Sequence, residues 1–132
     1  MSAEEPPAKL RTLKIAHRGG RSDSVRENTL NGFKEALRNA DGVEVDVQIS
    51  GDKTIWLSHS SRVHAYDGDR KCFAETSDKE IENINTCNGK EGSYTGLEDL
   101  FKYMNEHHIR KPVCIDIKET FPCISARSIS SQ

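Results

Sequence analysis

Several ionisable side chains lie at the ends of short apolar segments, and together they have the chemistry for breaking a phosphate ester. They are His17, Arg18, Glu44, Asp46, His59, Asp116 and Lys118. The carboxylates among them suit a hard divalent cation such as Mg²⁺ or Ca²⁺, which prefers oxygen ligands. Two histidines beside such a cation suit proton transfer at neutral pH. Arg18 and Lys118 add positive charge where an anionic, phosphate-like group would bind.

A strand–helix–strand unit is predicted to position the first four of these residues. Residues 13–17 are a short apolar run that ends at two glycines, which is typical of a buried strand entering a loop. Residues 30–40 place apolar side chains at helical spacing, with Asn28 or Thr29 as the helix cap. Residues 43–49 alternate strictly between apolar and polar side chains. This order predicts parallel strands joined by a right-handed crossover, and α/β proteins build their sites at the carboxyl ends of such strands.

A hairpin is predicted to bring His59 to the carboxylates. Residues 54–59 follow the second strand after a gap of four residues, which is too short for a parallel crossover. A two-residue turn at Gly51-Asp52 suits that gap, and it pairs Glu44 with His59 across the two strands. Seen alone, a strand with acidic residues on one face is typical of a solvated surface. The pairing with His59 favours a site instead.

The second half of the chain supplies the remaining candidate residues. Residues 60–75 are polar and are predicted to be irregular. Residues 77–80 and 95–98 match the Ser/Thr-x-x-Glu pattern of a capping box, so each predicts the start of a helix. Residues 112–118 alternate again and predict a third parallel strand, which carries Asp116.

The composition excludes several classes of protein. With 19 basic and 21 acidic residues the net charge is −2, which argues against a nucleic-acid binder or a polybasic membrane-surface module. No apolar run is long enough for a transmembrane helix, and residues 1–12 lack a secretory signal. The expected location is therefore cytoplasmic, with membrane association as an alternative for a longer form. The four cysteines form no CxxC pair, so free thiols are expected rather than a zinc site.

Five motifs resemble those of the glycerophosphodiester phosphodiesterase family in both order and spacing. They are His17-Arg18-Gly19-Gly20, Glu27-Asn28-Thr29-Leu30, Val43-Glu44-Val45-Asp46-Val47, Ser58-His59 and Ile115-Asp116-Ile117-Lys118. The resemblance covers about residues 13–119. It implies a TIM barrel that uses a divalent metal to hydrolyse small-molecule glycerophosphodiesters to glycerol 3-phosphate and an alcohol.

The resemblance also implies a role for each candidate residue. The implied roles are general acid/base catalysis by His17 and His59, metal binding by Glu44, Asp46 and Asp116, and phosphate binding by Arg18 and Lys118. By the same likeness, a glycerol hydroxyl attacks phosphorus while one histidine accepts its proton. The other histidine protonates the leaving alcohol, and water then opens the cyclic phosphate.

Three residues depart from the usual pattern of the family. Ser60 stands where an aspartate usually follows the second histidine, so an orienting carboxylate is absent. Arg26 stands where a proline commonly precedes Glu-Asn-Thr. Asp116 replaces the usual glutamate, and a motif with this shorter acid resembles that of the eukaryotic, lysophospholipase D-like branch of the family. Lysophospholipids are therefore an alternative substrate.

The length predicts an incomplete barrel. A TIM barrel takes about 250 residues and eight strands, whereas these 132 residues supply three predicted parallel barrel strands, a hairpin and covering helices. The expected organisation is a disordered tail at 1–12, a partial barrel domain at 13–120 and a disordered serine-rich tail at 121–132. Open sheet edges favour a fragment or short isoform with reduced activity, or self-association. The alternative to an enzyme is a truncated, non-catalytic relative that acts as a binding or regulatory partner.

Overall fold

Short strands and helices alternate through the part of the chain that the computed structural model describes, which is residues 12–19, 28–65, 68–88, 93–117 and 123. The strands are β1 (Ile15–Ala16), β2 (Gly42–Ile49), β3 (Ile55–Leu57), β4 (Arg62–His64), β5 (Arg70–Cys72), β6 (Thr95–Gly96) and β7 (Val113–Ile117). The helices are α1 (Leu30–Asn39), α2 (Asp78–Asn88) and α3 (Leu97–Glu106). None of these helices is long and apolar enough to cross a membrane.

The central strand of the main sheet is β2. It pairs in parallel with β1 and with β7, and in antiparallel orientation with β3, which in turn pairs with β6. The three predicted parallel strands are therefore confirmed, and so is the hairpin after β2. The sheet is mixed and open, since no strand within the described residues closes it into a barrel.

The two faces of β2 have different partners. Val43, Val45 and Val47 are buried against α1 and α3, where they join a cluster that includes Phe33 and Leu100. Burying each such side chain stabilises the fold by about 1.5–3 kcal/mol. Because side chains alternate along a strand, this packing directs the polar residues of β2 to the other face of the sheet. The apolar core thus determines where the acidic residues lie.

The helix caps predicted from the sequence are confirmed at two helices and wrong at a third. Thr29 caps α1 by accepting a hydrogen bond from the Gly32 amide at 3.1 Å. The capping box at residues 77–80 is confirmed, since the side chains of Ser77 and Glu80 each accept a hydrogen bond from the other residue's amide. The box at residues 95–98 is wrong, because α3 begins after Gly96 with no side-chain cap. Thr95 lies in β6, where its hydroxyl accepts a hydrogen bond from the Leu30 amide at 3.0 Å.

The register of the β2–β3 hairpin differs by one residue from the expected one. Ile49 pairs with Ile55 and Val47 with Leu57, so the predicted pairing of Glu44 with His59 is wrong. The loop takes up an extra residue because Lys53 adopts a left-handed conformation with φ of 70°. The observed register puts Ile49 opposite Ile55 and Val47 opposite Leu57, with Gln48 opposite Trp56 between them.

The sequence predicts that residues 60–75 are irregular, and this is wrong for two parts of the range, because β4 and β5 pair as a small antiparallel ribbon. This ribbon and α2 cover the hairpin through a second apolar cluster of Trp56, Val63, Phe73 and Ile81. Phe73 also meets Tyr94 edge to face, with ring centroids 5.3 Å apart. The ribbon therefore has its own core, separate from the valine face of β2.

Asp78, the first residue of α2, holds the hairpin turn. Its carboxylate accepts hydrogen bonds from the Ser50 hydroxyl at 2.6 Å, from the Thr54 hydroxyl and from the Trp56 indole at 3.1 Å. These donors, with Ser50 the largest contributor, lower the pKa of Asp78 below its usual range. The ionised side chain of Asp78 thus stabilises the hairpin between β2 and β3.

A disulfide links Cys72 at the end of β5 to Cys123. The expectation of four free thiols is therefore wrong for this pair, whereas Cys87 and Cys114 are free and exposed. The fold brings the two Cα atoms to 5.8 Å, which is within bonding range, across a sequence separation of 51 residues. The tails predicted to be disordered, 1–12 and 121–132, lie outside the described residues except for Thr12 and Cys123.

One face of β7 is exposed. Val113 packs against the main core, but Ile115 and Ile117 on the same face are 47% and 72% exposed. Together with Ile49 and Ile55 of the hairpin they border an apolar cavity of about 320 Å³. This face lies opposite the side of β7 that carries Asp116, because side chains alternate along the strand.

We expect the substitution Cys123→Ser to lower the free energy of unfolding by about 2–4 kcal/mol, because it opens a long covalent loop. Urea denaturation without reductant measures the change. Cys87→Ser is the matched control, and an exposed free thiol should cost no more than about 0.5 kcal/mol. Equal unfolding midpoints for Cys123→Ser and the unsubstituted protein would contradict the disulfide.

We expect Asp78→Asn to lower the free energy of unfolding at neutral pH by about 1–3 kcal/mol, because a charged hydrogen-bond acceptor is lost. The pKa of Asp78 is lowered in the folded protein. Its stabilisation is therefore present above the ordinary aspartate pKa of about 3.9 and is lost as the pH falls through the folded value. Urea denaturation at a series of acidic pH values should show a smaller acid-dependent loss in the variant. Glu82→Gln, at an exposed position on α2, is the control, and identical pH profiles for Asp78→Asn and the unsubstituted protein would refute the role.

Candidate active site

Three carboxylates meet at the polar face of the parallel strands. Glu44 and Asp46 come from β2 and Asp116 from β7, and the parallel register places Asp46 directly beside Asp116. Each residue offers an oxygen within 4.8 Å of the others. Asp46 is fully buried, whereas the other two are partly exposed. The structure therefore brings together the three predicted metal ligands.

This acidic cluster has the donor set of a site for a hard divalent cation. All of its candidate ligands are carboxylate oxygens, which Mg²⁺ and Ca²⁺ prefer. Glu44 Oε1 is buried, and His17 Nδ1 lies 2.6 Å from it as an ion-pair partner. A buried carboxylate oxygen is costly unless it is compensated, and a cation would add to the compensation that His17 provides. The residues present therefore fit such an ion.

His17 and Arg18 reach the cluster from a single 3₁₀ turn that follows β1. Arg18 adopts a left-handed backbone conformation with φ of 55°, and its Nε lies 3.2 Å from Asp46 Oδ2. Gly19 follows at φ of 77°, packed so closely that a Cβ atom would lie 2.6 Å from the Phe33 ring. The turn needs glycine at that position, and the tight packing directs the two preceding side chains to the carboxylates.

Asn28 also contacts the cluster, and the sequence analysis gave it no role there. Its amide nitrogen donates to Asp46 Oδ2 at 3.2 Å, and its carbonyl oxygen accepts from the Asp46 backbone amide at 3.4 Å. The backbone amide of Asn28 donates a hydrogen bond to the Arg18 backbone carbonyl at 2.6 Å. The sequence did contain one indication of a special position for Asn28, which is its place in the Glu-Asn-Thr motif just before α1. Asn is one of the few residue types that tolerate the left-handed backbone conformation found there.

His59 follows β3 and has no contact with the acidic cluster among those that the structure shows for the described residues. It is exposed in the loop after β3 and makes no hydrogen bond or ion pair with the described residues. The neighbouring Ser58 amide donates to the Asp46 carbonyl at 2.9 Å, which holds the start of the loop beside the acidic strand. Ser60, at the position of the usual aspartate, accepts a hydrogen bond from the Arg62 amide and so stabilises the turn into β4. Lys118 lies outside the described residues.

The sequence and fold are similar to those of known phosphodiesterases. Residues 17–123 match the glycerophosphoryl diester phosphodiesterase family. Over 55 residues the chain is 46% identical to a glycerophosphodiester phosphodiesterase of Caldanaerobacter subterraneus subsp. tengcongensis, a stretch that covers 41% of this chain and 22% of that protein.

Two solved structures illustrate the similarity of fold. The glycerophosphodiester phosphodiesterase of Thermotoga maritima has a TM-score of 0.65 at 28% identity, covering 83% of this chain and 45% of that one. A phosphodiesterase of Oleispira antarctica, solved with the product sn-glycerol-3-phosphate, has a TM-score of 0.61 at 20% identity, covering 83% of this chain and 46% of that one. At that identity the second likeness concerns the fold alone.

The chain spans less than half the length of these relatives. The match nevertheless includes the 3₁₀ turn after β1, both acidic strands and the hairpin between them. The open sheet is accordingly part of a TIM barrel, and the chain belongs to the glycerophosphoryl diester phosphodiesterase family.

Proposed function

We propose that this chain carries the metal-binding and phosphate-binding part of an enzyme that hydrolyses glycerophosphodiesters to glycerol 3-phosphate and an alcohol. The observation that carries the proposal is the cluster of Glu44, Asp46 and Asp116, whose oxygens lie within 4.8 Å of one another. His17 and Arg18 flank this cluster at ion-pairing distance. Acidic, imidazole and guanidinium groups in this arrangement suit phosphoryl chemistry.

In this proposal the carboxylate cluster holds one divalent cation, Mg²⁺ or Ca²⁺. Its oxygen-only ligand set accepts either ion, and the two ions differ in the ligand number and geometry that they demand. When bound, the cation would supply positive charge to a nonbridging phosphate oxygen and lower the pKa of the attacking hydroxyl. Arg18, from its position beside Asp46, would bind another phosphate oxygen. Lys118 is proposed for the same task because it follows Asp116 by two residues on the alternating segment.

His17 is proposed as the base that takes the proton from the substrate hydroxyl. Glu44 Oε1 lies 2.6 Å from its Nδ1, which favours the tautomer with the proton on Nδ1. Nε2 is then the nitrogen that can accept a proton from a hydroxyl of the substrate. Since the His17 side chain is 64% exposed, the ring is accessible to a ligand.

His59 is proposed as the acid that protonates the leaving alcohol. Its loop begins at Ser58, whose amide donates to the Asp46 carbonyl, so the backbone that precedes His59 lies beside the acidic strand, and the His59 side chain is exposed. No aspartate follows it, because residue 60 is a serine whose hydroxyl serves the turn into β4. Without an orienting carboxylate the ring would be less well ordered, so we expect weak activity.

Two alternatives belong to the proposal. Asp116, in place of the longer glutamate, supports lysophospholipids as a substrate class, as in the lysophospholipase D-like branch. The open sheet, with Ile117 72% exposed, supports a non-catalytic binding or regulatory role, including association with a second copy. The cytoplasmic location expected from the sequence has one observation against it, because disulfides such as Cys72–Cys123 are rare in that compartment.

Cation binding should stabilise the folded protein. At a Ca²⁺ concentration of 100 times the dissociation constant, we expect the free energy of unfolding to rise by about 2.7 kcal/mol. Glu44→Gln should reduce that gain because one of the three ligands is lost, and urea denaturation with and without Ca²⁺ measures it. Glu82→Gln, on the exposed side of α2, should keep the full gain. An identical gain in Glu44→Gln would remove Glu44 from the site.

Catalysis should depend on the cation and on His17. We expect the chain to release glycerol 3-phosphate from glycerophosphocholine slowly in Mg²⁺ or Ca²⁺ and not in EDTA, as followed by an enzyme-coupled assay. His17→Ala should lower the rate by about 10²–10⁴-fold, the usual contribution of general acid–base catalysis. His107→Ala, at the exposed end of α3, is the control. Glycerol 3-phosphate release that persists in EDTA and in the His17→Ala variant would contradict the proposal. Cation binding without any release of glycerol 3-phosphate would favour the non-catalytic role.

A further inference from the structure

We propose that Asn28 is a positioning residue, whose side-chain amide fixes the carboxylate of Asp46 in the orientation needed to bind the cation. This inference rests on the proposed metal site and goes beyond it, since Asn28 itself is not a ligand. It assigns a function to an amide side chain that contacts the acidic cluster.

The contacts of Asn28 with Asp46 fix two parts of the same residue. The Asn28 amide nitrogen donates to the carboxylate Oδ2 at 3.2 Å, while its carbonyl oxygen accepts from the Asp46 backbone amide at 3.4 Å. One planar amide therefore bridges the main chain and the side chain of Asp46, which restrains the rotation of the carboxylate. Such outer contacts are the usual means by which proteins orient metal ligands.

Two side chains contact this carboxylate at the same oxygen, Oδ2. Arg18 Nε lies 3.2 Å from Oδ2, the same atom that receives the Asn28 amide. Because an amide donates without bringing a charge, Asn28 orients Asp46 and leaves its negative charge available to a cation, whereas a second basic side chain would compensate it.

The backbone of Asn28 matches this task. The residue is 7% exposed and adopts φ of 56°, a left-handed conformation that asparagine tolerates better than most residues. Its amide donates to the Arg18 carbonyl at 2.6 Å, so the backbone of Asn28 also holds the turn that carries Arg18. The buried side chain consequently has a fixed origin from which to reach Asp46.

A purely structural role at the start of α1 does not account for the side chain. Thr29 is the cap of α1, since its hydroxyl accepts from the Gly32 amide at 3.1 Å. The Leu30 amide is satisfied by the Thr95 hydroxyl at 3.0 Å. The helix start thus has its own acceptors, and the Asn28 amide group is directed to Asp46 instead.

The test compares Asn28→Gly with a matched asparagine variant. Glycine keeps the left-handed backbone and its amide donor while it removes only the side chain. The control is Asn85→Ala in α2, because Asn85 also bridges two groups of one residue, donating to the Tyr94 carbonyl at 2.9 Å and accepting from its amide at 2.6 Å. Mn²⁺ is the probe, and its binding to the full chain is titrated by the loss of the free-ion electron paramagnetic resonance signal.

We expect Asn28→Gly to weaken Mn²⁺ binding by about 10–100-fold, as is usual for lost contacts to metal ligands. Asn85→Ala should bind Mn²⁺ as the unsubstituted protein does, even though it also loses two hydrogen bonds. Equal Mn²⁺ affinities for Asn28→Gly and the unsubstituted protein, which itself binds, would overturn this inference alone. If the unsubstituted protein binds no Mn²⁺, the proposed function fails and the inference fails with it.

A second measurement uses the unsubstituted protein and does not depend on how the variants fold. Paramagnetic Mn²⁺ broadens the nuclear magnetic resonance signals of groups close to it. Substoichiometric Mn²⁺ should broaden the side-chain NH₂ signals of Asn28 and leave those of Asn85 sharp. Sharp Asn28 signals at saturating Mn²⁺ would overturn the inference, because they would place the amide away from the ion.

Discussion

The parallel pairing of β2 with β7 is the constraint on which the rest of the site depends. It sets Asp46 beside Asp116, and with them Glu44, on a face where the three negative charges repel one another. The sheet holds this arrangement because the opposite face of β2 is buried against two helices through Val43 and Val45. Rotating β2 to expose its acids to water would expose the valines as well, so apolar burial opposes the repulsion.

Burial of the Asp46 charge explains the polar network around it. An ionised carboxylate taken out of water needs both charge compensation and hydrogen bonds. Arg18 provides the first and Asn28 the second, and both adopt left-handed backbone conformations. Such conformations cost about 1–3 kcal/mol each and persist where the surrounding structure enforces them. Here Gly19, packed against Phe33, and the Asn28–Arg18 hydrogen bond do so.

The periodicity of the sequence predicted those helices and strands in which the order of apolar and polar residues within the element itself decides which side chains are buried. The alternation of β2 and of β7, and the helical spacing of α1, each follow from which side chains are apolar, so the parallel strands and the carboxylate cluster were predicted correctly. The hairpin register was not, because it depends on the φ of Lys53, which no periodicity reports. The disulfide and the hydrogen bond from Leu30 to Thr95 join positions far apart in sequence, and only the assembled fold brings them together. The contact of Asn28 with Asp46 was missed for the same reason, since it depends on where α1 starts relative to β2.

The acidic site and the closure of the barrel are physically separable. The three carboxylates come from adjacent strands β2 and β7, and the flanking side chains come from the turn after β1, so the cluster forms without any further strand. What the open sheet lacks is cover for Ile115 and Ile117, which lie on the opposite face from Asp116. Exposed apolar surface of this kind lowers solubility and stability, but it does not alter the distances among the carboxylates. The proposed cation affinity would therefore depend on these three strands, while the free energy of unfolding depends also on whatever covers the isoleucines.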